Sequence, residues 1–231
     1  MRMRFPYYLL GIILLLLNIS CQPEKVVEKA KEKATLENKH QPTKKSTATN
    51  YQQIPTIWHS PKMLTERLGD LSEKTVANIG AGPYGNFSIQ IADEAKKVIA
   101  IDINPIAIQF IDSMKQVLLP LAVQDKLETR LVEPDNPKLR FEEADVITIR
   151  ETYAYLSNRI TYLTNLKRAL KDSGKLLIVD FKMRKLPIGP PPAEKIPLFQ
   201  VELDLEKAGY QIEFVDDNSL AYQYIIIATK G

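Results

Sequence analysis

Residues 76–92, VANIGAGPYGNFSIQIA, constrain the fold more than any other stretch of the chain. An apolar run breaks into Gly80, Gly82 and Gly85, and apolar residues at helical spacing follow at once. Glycine accepts the positive φ that a tight strand-to-helix turn demands, and it lets backbone N–H groups come close to a ligand. The spacing G-x-G-x-x-G fits a dinucleotide fingerprint, and it also fits a nucleoside held by another glycine-rich loop.

The rest of the chain repeats this strand-then-helix rhythm. TVANIG, KVIAID, LETRLVE, ADVITIR and KLLIVDF read as five buried strands, and YQIEFVD and AYQYIIIAT as two more. Ser60 and Pro61 suit the start of a helix that stops at Gly69. Further helices are expected from about Asn86 to Ala95, from Asn104 to Leu119, from Ser157 through Leu170, and from Leu198 to Ala208. Alternation of this kind implies a parallel sheet covered on both faces. Only DNSL joins the last two strands, too short for a parallel crossover, so the final strand must run antiparallel. The expected fold is α/β and Rossmann-like: a doubly wound, mostly parallel seven-stranded sheet with an antiparallel terminal strand. The proline-rich LPIGPPPAEKIP, Leu186 to Pro197, falls at the carboxyl ends of the strands, where open α/β sheets bind ligands.

Charge narrows the partners. The formal net charge is +3, but Arg2, Arg4 and the seven Lys and four Glu of residues 22–50 account for all of the excess. Residues 51–231 hold 22 basic and 24 acidic residues. A basic nucleic-acid face on the folded part is therefore not expected. Lys182, Arg184 and Lys185 form one small cluster, read as a solvated loop. No metal site is expected, because the chain has a single cysteine and two histidines.

The N-terminus, MRMRFPYYLLGIILLLLNISC, places two arginines before an apolar run and small or polar residues before Cys21. A basic start and a short apolar core describe a secretory signal, and the run is shorter than the ~18 residues of a spanning helix. The position of Cys21 resembles that of the lipidated cysteine after a bacterial lipoprotein signal. The expected organisation is a signal peptide at 1–20, a lipidated Cys21 with a flexible charged tether to residue 50, and one domain over 51–231. Residues 22–50 have too few large apolar groups to form a core. This reading puts the protein in the cell envelope, anchored to the membrane by lipid and facing the periplasm or exterior.

Asp102 ends the second strand 20 residues after Gly82, where a carboxylate can accept both hydroxyls of a ribose. That leaves NAD or a nucleoside such as S-adenosylmethionine. The antiparallel terminal pair, the helix–turn–strand LKRALKDSGKLLIVDF and the helix opening at IWHSPKMLTERL favour the second. Together with GAGPYG (Gly80–Gly85), KDSG (Lys171–Gly174) and DFKMRKLPIGPPP (Asp180–Pro192), they resemble class I S-adenosylmethionine-dependent methyltransferases of the small single-domain bacterial type. The resemblance covers roughly residues 54–230.

That resemblance implies S-adenosylmethionine as cofactor and a small-molecule acceptor, bound by a monomer. Gly80, Ala81, Gly82 and Gly85 would wrap the methionine part, with Asn78 ordering the loop. Asp102 would hold the ribose, Ile103 would lie against the adenine, and Glu133 or Asp135 would take its amino group. Arg150, Glu151 and Thr152 would floor the site beside the methyl group. Tyr153, Tyr155 and Pro190 would face the acceptor, and Glu151, Tyr153 and His59 are the candidate bases. Two departures stand out: Asn78 replaces the usual aspartate, and TYAYL lacks the family's histidine pair. They keep a second reading open, a weak or inactive methyltransferase-like binding lipoprotein. An NAD-dependent oxidoreductase is a third, although it leaves the terminal pair and the DFK…GPPP run unexplained.

Overall fold

A computed structural model describes residues 61–82 and 86–231. Its centre is a seven-stranded sheet of order β3-β2-β1-β4-β5-β7-β6. The strands are β1 (Thr75–Ile79), β2 (Lys97–Asp102), β3 (Leu127–Leu131), β4 (Ala144–Arg150), β5 (Leu170–Phe181), β6 (Tyr210–Asp216) and β7 (Gln223–Lys230). β1 to β5 pair in parallel, and β7 runs antiparallel between β5 and β6. The fold is the one the sequence implies.

Burial follows position in the sheet. β1 and β2 are buried at every residue but the first, as strands covered on both faces must be. The edge strand β6, after the buried Tyr210, alternates exposed and half-buried residues instead. Six helices cover the faces: α1 (Pro61–Leu68), α2 (Asn86–Ile91), α3 (Pro105–Leu118), α4 (Leu121–Gln124), α5 (Arg159–Ala169) and α6 (Leu198–Lys207). One face packs Val76, Val98 and Val146 under Leu64, Phe87 and Ile111 of α1, α2 and α3. The other packs Ile99, Ile147 and Ile178 under Leu163, Leu166 and Val201 of α5 and α6.

Local differences from the expected elements have physical causes. α2 ends at Ile91 rather than Ala95. α5 starts at Arg159, two residues later than Ser157, because Asn158 adopts a left-handed conformation at φ +46°. KDSG is not a free turn before β5. It lies within the strand as an irregularity, since Ala144 pairs with Leu170 and Val146 with Lys175.

The proline-rich segment has its own support. Phe181 and Ile188 form a small apolar cluster with Leu186 and Tyr222. Gly189, at φ +80°, lies against the Phe181 ring so closely that a Cβ would sit 2.7 Å from it.

Candidate active site

The carboxyl ends of β1, β2, β4 and β5 meet on one side of the sheet, and the glycine turn lies among them. Gly80 and Gly82 both have positive φ, +68° and +76°. The N–H groups of Gly80 and Ala81 donate to Ile101 O at 2.9 and 3.0 Å. The N–H of Gly82 donates to Asp102 Oδ2 at 2.8 Å. This corrects the expectation that the turn offers its N–H groups to a ligand: these three are held inside the fold. The turn contributes bare backbone surface instead. A Cβ on Gly80 would fall 2.2 Å from Thr152 Oγ1, whereas one on Gly82 would meet nothing closer than Gly80 O at 4.0 Å.

Asp102 therefore has a part in the architecture. Its Oδ1 accepts the Asn104 N–H at 2.8 Å, and Asn104 in turn caps α3 by accepting the Ile106 N–H at 2.9 Å. One carboxylate thus ties the glycine turn to the start of α3. A carboxylate has about four lone-pair directions, so two remain for a ligand.

A cavity of about 270 Å³ opens here, lined by Gly80, Gly82, Asp102, Ile103, Thr152 and Tyr155 among others. It falls just below the roughly 300–1,000 Å³ range of small-molecule sites. Val132, Pro134, Leu156 and Tyr162 complete the wall. Its character is apolar with one carboxylate at the rim, which suits a flat heterocycle joined to a sugar diol. Sequence reasoning missed these four wall residues. Val132 and Pro134 flank Glu133 and Leu156 ends TYAYL, but as apolar residues they carry no chemical signal, and only the folded topology brings the four together.

Other expected residues lie elsewhere. Glu133 and Asp135 are exposed beside the cavity wall rather than part of it, and Asp135 lines a separate hollow with Arg140 and Arg168. Asn78 is buried. Its Nδ2 donates to Ser88 Oγ at 2.9 Å, and its Oδ1 accepts from Thr148 Oγ1 at 2.8 Å. It joins β1 to β4 and α2, and among the described residues makes no bond to the glycine turn.

Tyr153 is a correction. It is fully buried, and its hydroxyl donates to Asp204 Oδ2 at 2.9 Å. Burial, reinforced by Asp204, pushes the phenol far above its usual range, so it cannot serve as a base. The spacing of TYAYL put both tyrosines after β4, but a 3-10 turn at Tyr153–Tyr155 sends the first into the core and leaves the second exposed. Pro190 is half-buried in the proline-rich loop and lines neither this cavity nor the one beyond β5. Cys21, His59 and Gly85 lie outside the described residues.

The tips of β4, β5 and β7 form a second, charged neighbourhood. Glu151 has φ +52°, costly for a residue with a full side chain and characteristic of functional sites. Its Oε1 accepts from Gln223 Nε2 at 2.8 Å, and Gln223 is 1% exposed with Oε1 lacking a partner among the described residues. Arg150 is not on the cavity wall. Its guanidinium lies 4.4 Å from the Phe87 ring centroid, and its Nε is buried without a bond there. Burial lowers its pKa, against the opposing pull of Glu151.

Asp180, one residue before the end of β5, was given no role beyond opening the DFK run. It is 3% exposed, and its Oδ2 accepts the Ala154 N–H at 3.4 Å, which braces the 3-10 turn carrying Tyr155. Burial, with a contribution from Glu151, pushes its carboxyl up to about 6.

The strand order discriminates between the nucleotide folds. A dinucleotide-binding sheet runs 3-2-1-4-5-6. Here β7 is inserted antiparallel between β5 and β6. A family model described as a methyltransferase domain matches residues 70–202, more than half of the chain. The chain belongs to the methyltransferase domain family. Solved structures agree on the fold of this methyltransferase domain. A SAM-dependent methyltransferase from Aquifex aeolicus superposes with a TM-score of 0.70 at 24% identity, covering 78% of this chain and 96% of that one. A TehB-like SAM-dependent methyltransferase from Corynebacterium glutamicum gives 0.59 at 13% identity, covering 91% and 100%. The [4+2]-cyclase SpnF gives 0.62 at 13% identity, covering 74% and 79%. A protein named as a cyclase shares this architecture, so the site must carry the functional argument. No curated protein matches the chain.

Proposed function

We propose that the domain binds S-adenosylmethionine in the cavity at the tips of β1 and β2 and transfers its methyl group to a small-molecule acceptor. One observation carries the reading: a two-glycine turn without side chains and a rim carboxylate, Asp102, share one apolar cavity. The residues fit the cofactor. Asp102 would accept the ribose hydroxyls with its remaining lone pairs, and Ile103, 56% exposed on the wall, would cover the adenine. Gly80 and Gly82 would leave room for the amino-acid part. When bound, the cofactor supplies a methyl group already activated by its sulfonium.

The protein's task is then alignment and exclusion of water, which can account for roughly 7–11 kcal/mol of a barrier. Tyr155 and Thr152 form the wall between the cavity and the β4 tip. Where the acceptor must lose a proton, Glu151 would take it on Oε2, since Gln223 holds Oε1. The proton finds no base at Tyr153.

We also place this domain at the cell envelope, on a lipidated Cys21. The support is the basic start, the short apolar run and the single cysteine that follows it. Changing Cys21→Ala should leave the precursor unprocessed in cell fractionation; a variant processed and partitioned like the parent would overturn the anchor. The cofactor reading is tested by calorimetry on the full chain with S-adenosylmethionine, S-adenosylhomocysteine and NAD. Binding of the first two and not the third is expected. Binding of NAD alone would return the oxidoreductase reading.

A further inference from the structure

A second cavity, of about 550 Å³, lies at the tips of β5 and β7, and the cofactor reading leaves it unused. Its walls include Lys182, Arg184, Asp217, Asn218 and Tyr224. The strand order places it on the same side of the sheet as the glycine turn. β1 and β7 are three strands apart, about 14 Å at the ordinary interstrand spacing. A small molecule could therefore reach from one cavity toward the other.

Arg184 and Lys185 are exposed, as a solvated loop requires, whereas Lys182 is held in the fold. The Lys182 side chain is only 14% exposed. Its Nζ donates to Asp217 O and lies 3.4 Å from Asp217 Oδ1. Arg184 Nη2 donates to Ala221 O at 2.8 Å. Among the described residues this is the guanidinium's one bond, and a guanidinium has five N–H donors. Beneath them Lys195 is 3% exposed and donates to Arg184 O at 2.9 Å. A lysine is rarely buried to this extent without a structural reason. Here it pins the proline-rich loop to the backbone that carries Arg184. The Phe181 and Ile188 cluster and the close seat of Gly189 stiffen the same loop.

The local charge favours an anion. Lys182 and Arg184 share the cavity wall with one carboxylate, Asp217, while the buried Lys195 bonds the backbone of Arg184 and is acted on by Asp180. The Asp217 side chain is 54% exposed and already engaged with Lys182. The Arg184 guanidinium keeps donors without a partner among the described residues, beside an ammonium already held by Asp217, and a guanidinium of this kind suits planar or tetrahedral oxyanions.

We propose that this cavity binds the anionic group, carboxylate or phosphate, of the methyl acceptor, and so sets the substrate class of the domain. The proposal rests on the methyl-transfer reading, but anion binding is measurable without it. The test is an NMR titration of the full chain, following the Arg184 Nε–H and Lys182 resonances, with inorganic phosphate and separately with succinate. Both arms are run with and without S-adenosylhomocysteine. At least one probe is expected to shift these resonances saturably, which decides between phosphate and carboxylate. Its dissociation constant should rise at least fivefold in Arg184→Gln and in Lys182→Gln, with S-adenosylhomocysteine affinity kept within twofold. Absence of a saturable shift with both probes, or equal affinity in the variants, would overturn the anion site. Anion binding here without any S-adenosylhomocysteine binding would keep the site and overturn the cofactor reading instead.

Discussion

The tips of β1 and β2 and the tips of β4, β5 and β7 solve different problems. The first region is made of backbone, apolar surface and one carboxylate whose two oxygens hold Gly82 and Asn104 in place. The second is made of side chains that reach across the chain: Glu151 to Gln223, Tyr153 to Asp204, Lys195 to Arg184. A region built from backbone conformation has little freedom to vary, because any side chain at Gly80 collides. A region built from side chains can change its partner without changing the fold. That division suits a shared cofactor on one side and a particular acceptor on the other.

The strongest way to break the comparison is at Gly80. Gly80→Ala puts a Cβ 2.2 Å from Thr152 Oγ1 at φ +68°. Strain of this kind costs about 1–3 kcal/mol before the clash is counted. The variant should lose S-adenosylhomocysteine binding and melt earlier in calorimetry. Thr152→Ala in the same chain should restore part of the stability, since it removes the colliding hydroxyl. An unperturbed Gly80→Ala protein would show that the turn is not constrained as described.

On the charged side, Asp180 gives a pH signature. Its folded pKa, about 6, lies above the ordinary 3.8. The folded state therefore holds the proton more tightly than the unfolded chain. This contribution to stability is complete below 3.8 and is lost as pH rises through about 6, a difference of about 2–3 kcal/mol. Glu151 and Lys195 are the charged groups coupled to it. Glu143, held at about 2 chiefly by its Arg130 bond, acts in the opposite sense and only below 4.5. Urea unfolding should thus give lower stability at pH 7 than at pH 5, and Asp180→Asn should flatten that slope. A slope unchanged in the variant would assign the titration elsewhere.

Tyr153→Phe sharpens the contrast with a smaller effect. It removes the bond to Asp204, which keeps its Arg159 and Gln200 partners at 2.8 Å each. A loss of about 1 kcal/mol in stability is expected, with S-adenosylhomocysteine affinity unchanged. A large fall in affinity at unchanged stability would return Tyr153 to the site.

The same division explains what the sequence made legible. The strands, their order of appearance and the antiparallel end follow from buried runs, glycine positions and the four-residue DNSL link. Gly80, Gly82, Asp102 and Ile103, which line the cavity at the tips of β1 and β2, are marked locally by backbone conformation and strand-end position. Tyr153 and Asn78 were misread because nothing local tells a tyrosine or an amide whether it points at a ligand or at a buried partner. Asp204 lies 51 residues from Tyr153, and Thr148 lies 70 from Asn78. Gln223 and Lys195 gave no local signal, and Asp180 only its place in the DFK run, since their roles arise from burial and from contacts that only the assembled sheet creates.

The central claim is that Asp102 joins the glycine turn to a nucleoside. Paired calorimetry of the parent and Asp102→Ala with S-adenosylhomocysteine tests it most directly. In the variant the half-exposed Gly82 N–H and the exposed Asn104 N–H lose their acceptor, at about 0.5–1.5 kcal/mol for each hydrogen bond. The ribose hydroxyls lose theirs as well. The parent should bind one equivalent, and the folded variant should bind at least tenfold more weakly. No heat with the parent, or equal affinity in a folded variant, would contradict the account.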